Sequence, residues 1–190
     1  MDRMYKIPRI MLAAPASGSG KTMITCGLIK LLQEHGKVRA FKCGPDYIDP
    51  MFHRTVLKTP SLNLDSFLGD RRSMQISICR AFMKKNRWPA ALGNDLPDEE
   101  DGSCAGYRSK IAVVEGVMGY YDGLGASSTA ASSYEISVMT DTPVIMVINA
   151  KGMSLSALAI LQGLISYRDD SNIKGVILNR TSKPVYDKLA

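Results

Sequence analysis

The segment from Ala13 to Thr22 contains residue types that can hold a phosphate group. It runs Ala-Ala-Pro-Ala-Ser-Gly-Ser-Gly-Lys-Thr, after a short apolar run and before a helical pattern. Small residues let backbone N–H groups converge on an anion, and a helix N-terminus adds about half a positive charge there. This segment, the phosphate cradle, therefore predicts binding of ATP or GTP. Its predicted phosphate-binding backbone comprises Ser17, Gly18, Ser19 and Gly20.

Two side chains complete the phosphate cradle. Lys21 would supply a mobile cation to the β- and γ-phosphates, and Thr22 a hydroxyl ligand for Mg²⁺. The pattern G-x-x-x-x-G-K-[ST] is matched except at its first position, where Pro15 replaces glycine. The alternative is a glycine and serine turn that happens to precede a Lys-Thr pair. The strand pattern before the segment and the helical pattern after it favour phosphate binding.

Two carboxylates follow other predicted strands. Asp46 lies in the loop after the second strand, and Glu115 ends the next strand. Mg²⁺ prefers oxygen ligands, usually one or two carboxylates together with phosphates and water. Thr22, Asp46 and Glu115 are therefore the predicted metal ligands. The alternatives are a turn-capping role for Asp46 and a solvent-facing strand end for Glu115.

The hydrophobic pattern predicts strands that alternate with helices. Strands are expected at 9–14, 38–42, 111–115, 144–149 and 175–179, and helices at 22–33, 71–85 and 154–166. Nearly continuous apolar strands indicate an α/β fold of the P-loop NTPase type, a mostly parallel sheet with helices on both faces. Ligands of such sheets lie at the carboxyl ends of the strands, so the phosphate cradle, Asp46 and Glu115 should share one edge. Pro45 and Pro50 predict a loop without regular structure over residues 43–50.

The composition indicates one globular domain. The chain has 190 residues, 45% hydrophobic content and a formal charge of +6. Its basic residues are scattered without interleaved aromatics, which disfavours nucleic acid as a partner. No apolar run approaches a membrane span, and the run near the N-terminus is too short for a secretory signal, so we expect a cytoplasmic protein without a membrane partner. Four cysteines and two histidines lack the spacing of a zinc site or a disulfide framework.

Two further strings are more specific than the phosphate cradle. Residues 44–50 read Gly-Pro-Asp-Tyr-Ile-Asp-Pro, and residues 115–123 read Glu-Gly-Val-Met-Gly-Tyr-Tyr-Asp-Gly. Together with the phosphate cradle they closely resemble the cobyrinic acid a,c-diamide synthase family, in which proline at the position of Pro15 is ordinary. The resemblance covers nearly the whole chain apart from a polar surface excursion at 86–110. It implies ATP-dependent amidation of two carboxylates of cobyrinic acid, a corrin precursor of vitamin B12.

The resemblance also implies roles for single residues. By analogy with the family and with dethiobiotin synthetase, Lys42 would face the γ-phosphate and the substrate carboxylate. Asn179 resembles the residue that hydrogen-bonds adenine in these relatives. The alternatives are a solvated lysine and a strand-terminating cap. The family also uses carboxylates and a tyrosine around metal, substrate and the phosphorylated acid, and the matching positions are Asp46, Tyr47, Asp49 and Asp122.

The implied chemistry explains why these residue types are needed. A carboxylate is a poor acyl electrophile, because attack by ammonia would have to expel oxide. Transfer of the γ-phosphoryl group gives an acyl phosphate, and its catalysis is mainly positioning and charge neutralisation. Lys21, Lys42, Mg²⁺ and Glu115 would contribute to that neutralisation and positioning. An ordinary Asp-Gly turn is the alternative for Asp122.

The same resemblance sets the expected domain organisation. Family members continue with more of the synthetase domain and then a glutaminase domain that releases ammonia. We therefore expect residues 1–190 to form an ATP-binding amidoligase domain that is truncated at its C-terminus. Ammonia would come from the missing glutaminase domain or from outside, and the substrate would be a small corrinoid. A homodimer is left open.

Other functions share parts of this pattern. A nickel-sirohydrochlorin a,c-diamide synthase would share nearly all of it, and a dethiobiotin synthetase-like ligase would share the carboxylate phosphorylation but not the string at 44–50. A partitioning-type ATPase, which is a nucleotide switch and not a ligase, has an extra lysine early in the cradle. This chain has Ala16 and Ser17 there. A nucleotide-binding or corrinoid-binding fragment without turnover is the remaining alternative.

Overall fold

The computed structural model describes residues 7–82, 110–125 and 127–189. Its strands are β1 (Arg9–Ala13), β2 (Lys37–Cys43), β3 (Ser61–Leu64), β4 (Lys110–Glu115), β5 (Val144–Asn149) and β6 (Ile173–Asn179). Its helices are α1 (Lys21–Gln33), α2 (Ile48–Thr55), α3 (Arg71–Arg80), α4 (Ser133–Met139), α5 (Leu155–Ser166) and α6 (Lys183–Leu189). The strands form one sheet in the order β3-β2-β4-β1-β5-β6, and every pairing is parallel.

Apolar side chains cover both faces of the sheet. Successive residues of a strand point to opposite faces, so Met11 and Leu12 of β1 belong to different core layers. The Met11 layer includes Ile78 of α3 and Ile136 of α4. The Leu12 layer includes Ile29 of α1. The α/β prediction of a parallel sheet between helices is thereby confirmed.

Strand register brings the polar strand ends to one level. Leu12 of β1 pairs with Glu115 of β4, and Glu115 pairs with Lys42 of β2 on its other side. The phosphate cradle follows β1 directly. The prediction that these carboxyl ends meet at one edge of the sheet is confirmed.

The prediction of an irregular loop over residues 43–50 is only partly correct. Pro45 does lie in the connection after β2, but Pro50 is the third residue of α2. Backbone N–H groups in the first turn of a helix have no partner within the helix, so proline is tolerated there. Pro50 is also buried, which packs the start of α2 against the rest of the domain.

Several other boundaries differ from the predictions. The sequence pattern did not predict α2, β3, α4 or α6, which have eight, four, seven and seven residues. The helix predicted at 71–85 ends at Arg80 in the structure. The excursion predicted at 86–110 lies outside the described residues except for Lys110, which begins β4. Among the helices of the described ranges, none is long and apolar enough to cross a bilayer.

Candidate active site

Two glycines of the phosphate cradle have left-handed backbone conformations. The φ angles of Gly18 and Gly20 are 78° and 88°, in a region that residues other than glycine rarely adopt. Gly20 is the N-cap of α1 and, having no side chain, gives that helix end no side-chain cap. The first amides of α1 are therefore available to an anion. The Ser19 hydroxyl donates to the Ala16 carbonyl at 2.9 Å and holds the curve of the loop.

Asn179 at the end of β6 packs against this loop. Its Nδ2 donates to the Ser19 carbonyl at 2.8 Å. A Cβ atom on Gly20 would lie 2.3 Å from the same nitrogen, so only glycine fits there. The structure thus places Asn179 beside the phosphate cradle and gives it a tethering contact. Its role toward adenine remains a prediction.

Lys21 and Thr22 both reach Glu115. The Thr22 hydroxyl donates to Oε1 of Glu115 at 2.5 Å, and Lys21 Nζ lies 3.8 Å from the same oxygen. Glu115 is completely buried. The structure therefore rejects the alternative of a solvent-facing strand end for this residue.

Lys42 is the centre of a buried group of charges. Its side chain is 3% exposed, and its Nζ lies 3.4 Å from Glu115 Oε1 and 3.5 Å from Asp46 Oδ2. Lys42 also forms a hydrogen-bonded ion pair with Asp49 and donates to the Gly116 carbonyl at 3.3 Å. The alternative of a solvated lysine is therefore wrong. We refer to Lys21, Lys42, Asp46, Asp49 and Glu115 as the ion cluster.

The loop between β2 and α2 delivers two of these carboxylates. Asp46 Oδ1 accepts from the amides of Ile48 at 2.9 Å and Asp49 at 3.4 Å, so Asp46 also caps the turn into α2. Asn63 of β3 donates from Nδ2 to the carbonyls of Gly44 at 2.7 Å and Asp46 at 2.6 Å. The neighbouring strand therefore fixes the loop on both sides of Pro45.

Tyr47 does not join the ion cluster. Its side chain is 77% exposed and borders an open groove of about 450 Å³. Polar and apolar side chains line the rest of that groove, among them Asn63, Asp65, Leu68 and Met74. Tyr47 is therefore at the surface beside Asp46, where it is accessible to a large ligand.

The glycine-rich loop after Glu115 lies against the phosphate cradle. Gly116 donates to the Leu12 carbonyl and Tyr120 to the Ala14 carbonyl, each at 2.8 Å. Asp122 is exposed, and its Oδ2 accepts from the Gly119 amide at 3.0 Å. The Asp122 side chain therefore makes a local contact with the residue three positions before it. The catalytic role of Asp122 stays a prediction.

Glu115 and Lys42 stabilise each other in the charged form. Burial opposes ionisation of Glu115, but His53, Lys42, Thr22 and Lys21 outweigh it and lower the pKa of the carboxyl to about 2. Burial likewise disfavours the Lys42 cation, but Glu115 and Asp49 raise its pKa. For Lys21, burial and the charge of Lys42 lower the pKa. Glu115 is accordingly an ionised carboxylate at neutral pH.

The sequence interpretation missed His53 and Asn63. His53 of α2 is completely buried, with Nε2 at 3.4 Å from Glu115 Oε2 and Nδ1 at 3.1 Å from Ser61 Oγ. Its only sequence signal is its position three residues after Pro50, which places both on one face of a helix. Because α2 was not predicted, that spacing could not be used.

The oxygens at the start of α1 suit a hard cation. Thr22 and Glu115 bring a hydroxyl and a carboxylate together, and Glu115 Oε2 is buried without a hydrogen bond in the described part of the chain. Within residues 7–82, 110–125 and 127–189 there is no group of three or more His, Cys, Asp and Glu suited to a metal. A site of this kind matches Mg²⁺, which takes most of its ligands from phosphates and water. Asp46 connects to Glu115 through Lys42, and its role as a metal ligand remains a prediction.

Comparisons with known proteins agree with this architecture. The model of one protein family, the CobQ/CobB/MinD/ParA nucleotide binding domain, matches residues 10–189. The cobyrinate a,c-diamide synthase of Saccharolobus solfataricus is 35% identical over 178 residues, which cover 94% of this chain and 35% of that protein. The synthase of the same name from Listeria innocua is 39% identical over 175 residues, which cover 92% and 34% of the two chains.

A third relative extends the agreement. The cobyrinate a,c-diamide synthase of Streptococcus sanguinis is 34% identical over 186 residues, which cover 95% of this chain and 35% of that protein. The chain therefore spans about a third of the length of the curated relatives it matches. These matches confirm the resemblance that the three sequence motifs predict.

Proposed function

Because this chain belongs to the family of the CobQ/CobB/MinD/ParA nucleotide binding domain, we propose that it binds ATP in the phosphate cradle and uses it to amidate carboxylates. The proposed substrate is cobyrinic acid, amidated at its a and c carboxylates. The names of the relatives support this substrate, and the string at 44–50 lies beside the groove at Tyr47. The proposed enzyme is an ATP-dependent carbon–nitrogen ligase of cobalamin biosynthesis.

The buried position of Lys42 carries this proposal. Its ammonium group connects Glu115, which contacts Thr22 of the phosphate cradle, to Asp46 and Asp49 of the next loop. Phosphoryl transfer to a carboxylate requires two anions to approach each other, so a fixed cation between their binding loops lowers the main electrostatic barrier. A lysine on the surface would be screened by water and salt and could not do this as well.

In the first step, ATP phosphorylates the substrate. A carboxylate oxygen of the substrate forms a bond to the γ-phosphorus, while the bond from that phosphorus to the β–γ bridging oxygen breaks and ADP leaves. Lys21 and the amides of α1 hold the phosphates, and Lys42 stabilises the charge where the two anions meet. Asp46 and Asp49 orient Lys42 through their ion pairs.

In the second step, the acyl phosphate reacts with ammonia. The nitrogen forms a bond to the acyl carbon, the carbon–oxygen bond to the phosphate breaks, and the phosphate leaves with the proton that the nitrogen loses. Glutamine would supply the ammonia through a glutaminase domain. Tyr47 would contact the corrin from the rim of the groove, Asp122 would act near the acyl phosphate, and Asn179 would hydrogen-bond adenine.

Mg²⁺ is the proposed metal, held by Thr22 and Glu115, with Asp46 as a further candidate. When bound, it supplies charge neutralisation at the phosphate oxygens. The hydroxyl and the carboxylate already lie together in the structure. The proposal therefore requires no rearrangement of the strand ends to create a magnesium site.

The decisive experiment measures nucleotide turnover and product mass together. The protein is incubated with Mg·ATP, ammonium chloride and cobyrinic acid, and ADP release and the mass of the corrinoid are followed. We expect ADP release that depends on cobyrinic acid, with a mass change for each amidation. Parallel reactions contain nickel-sirohydrochlorin or DNA in place of cobyrinic acid.

Each alternative function has its own result. Amidation of nickel-sirohydrochlorin alone would assign the other diamide synthase, and hydrolysis stimulated by DNA would assign a nucleotide switch. The matched control is Lys30→Ala, which removes an exposed lysine from the opposite end of α1. It should behave as the wild type, whereas Lys42→Ala should abolish product formation.

A further inference from the structure

His53 is a buried polar side chain with no part in the proposed reaction steps. It lies on α2, is completely buried, and faces β4 with Nε2 and β3 with Nδ1. Histidine is seldom placed in a core without partners, because an unpaired buried nitrogen loses its hydrogen bonds to water. Its two neighbours, Glu115 and Ser61, are therefore the groups that must satisfy it.

The two oxygens of the Glu115 carboxylate have different surroundings. Oε1 receives the Thr22 hydroxyl at 2.5 Å and lies 3.4 Å from Lys42 Nζ. Oε2 lies 3.4 Å from His53 Nε2, slightly longer than the usual N–H···O distance. Both Oε2 and Nε2 are buried without a regular hydrogen bond in the described part of the chain, so their 3.4 Å contact is a close polar contact and not a regular hydrogen bond. A small shift of either side chain would turn this contact into the hydrogen bond that both atoms lack.

Ser61 completes the arrangement on the opposite side of the ring. An ionised carboxylate can only accept, so the geometry puts a proton on Nε2. In the tautomer that carries this proton alone, Nδ1 is an acceptor, and the Ser61 hydroxyl at 3.1 Å can donate to it. Ser61 thereby fixes the tautomer of His53. Groups that hydrogen-bond to the ligands of a metal commonly fix orientation and tautomer in this way.

We propose that His53 is a positioning residue, which holds Oε2 of Glu115 through Nε2 and so directs Oε1 toward Thr22 and the bound nucleotide. The inference rests on the proposed function, in which Glu115 serves the nucleotide site. Rotation of the carboxylate about its own axis would move Oε1 away from Thr22 without any change in the strand. His53 prevents that rotation from α2, on the opposite side of the carboxylate from Thr22.

The first test measures ATP binding by calorimetry with Mg²⁺ and again with EDTA. His53→Phe keeps a ring of similar size but removes the donor, and it should weaken Mg·ATP binding by about 10- to 100-fold. Binding of ATP in EDTA should be unchanged, because Lys21 and the α1 amides hold the phosphates without help from Glu115. His53→Gln places an amide nitrogen near the position of Nε2 and should restore most of the loss. His35→Phe, at an exposed site, is the matched control.

The second test needs no nucleotide. Nitrogen-15 NMR of the histidine rings should show the Nε2–H tautomer for His53, and His35→Phe assigns the signals because the chain has only two histidines. Glu115→Gln should shift the Nε2–H resonance. Ser61→Ala should give mixed tautomers and weaker Mg·ATP binding, and it decides the question if His53→Phe does not fold.

Two results would overturn the positioning role. One is a folded His53→Phe protein that binds Mg·ATP as tightly as the wild type. The other is a His53 resonance that does not respond to Glu115→Gln. A wild-type protein that fails to bind Mg·ATP would instead refute the proposed function, and the NMR result would still decide whether His53 holds Glu115.

Discussion

At the scale of single residues, the buried carboxylate of Glu115 is approached by four side chains. Thr22, Lys21, Lys42 and His53 all approach its carboxylate. Glu115→Gln keeps the shape but removes the charge, so metal-dependent turnover should fall by about 100-fold. The folded state should lose about 1–3 kcal/mol, because Lys42 loses one of its buried partners. Turnover assays and urea denaturation measure the two effects, and an unchanged kcat would remove Glu115 from the site.

The same carboxylate should make stability depend on pH in acid. Its pKa in the folded protein is about 2, below the ordinary value of 4.5. A depressed pKa means that the unfolded chain binds the proton more readily, so the contribution of Glu115 is present above about pH 4.5 and is lost as the pH falls toward 2. Urea denaturation at a series of pH values should show this loss. Glu115→Gln should flatten the curve in that window, and identical slopes would contradict the assignment.

Lys21 should act on nucleotide affinity. Its ammonium group lies beside the start of α1, 3.8 Å from Glu115. Lys21→Ala removes a charged donor to the phosphates, worth about 1.5–3 kcal/mol or roughly 10- to 100-fold in Kd. Calorimetry with Mg·ATP measures the change, with Lys30→Ala as the control on the same helix. Undiminished binding would contradict the phosphate cradle.

At the scale of elements, two glycines of the same region should respond in opposite ways to alanine. Gly20 combines a φ of 88° with a Cβ position 2.3 Å from Asn179 Nδ2. Gly20→Ala should therefore cost about 1–2 kcal/mol and weaken ATP binding. Gly27 lies inside α1 with open space around it, so Gly27→Ala should stabilise the protein by about 1 kcal/mol without affecting binding. Thermal unfolding measures the change in Tm of each variant. Equal changes in Tm would show that the left-handed backbone at Gly20 is not the reason for its cost.

The long elements were predictable from sequence, and the short ones were not. The strand Val144–Asn149 matches its prediction at both ends, and α1 differs by one residue, because both are long apolar or amphipathic runs. Short elements such as α2 and β3 owe their stability to tertiary packing and not to local pattern. Because α2 and β3 were not predicted, the contacts of His53 and Asn63 could not be predicted either. Lys42, Asp46 and Asp49 were predicted as site residues, but their mutual ion pairs depend on α2 starting at Ile48.

At the scale of the whole molecule, Mg·ATP should stabilise the fold by mass action. A ligand at 100 times its Kd adds about 2.7 kcal/mol to the free energy of unfolding. For a domain of this size each kcal/mol raises Tm by about 2–4 °C, so a shift of about 5–10 °C is expected. Calorimetric scans with and without Mg·ATP measure it. Lys21→Ala at the same nucleotide concentration should shift much less, and an equal shift would place the nucleotide elsewhere.

The parallel register has a consequence for how such a protein can change during evolution. Side chains alternate between the faces of a strand, so loss of one residue within β4 would turn Glu115 away from Lys42 while leaving the strand just as apolar. Single-residue insertions and deletions inside β2 or β4 would therefore disrupt the ion cluster as well as the packing of the sheet. The connection from β2 to α2 lies outside this alternation, so a change in its length would leave Glu115 and Lys42 on the face they share.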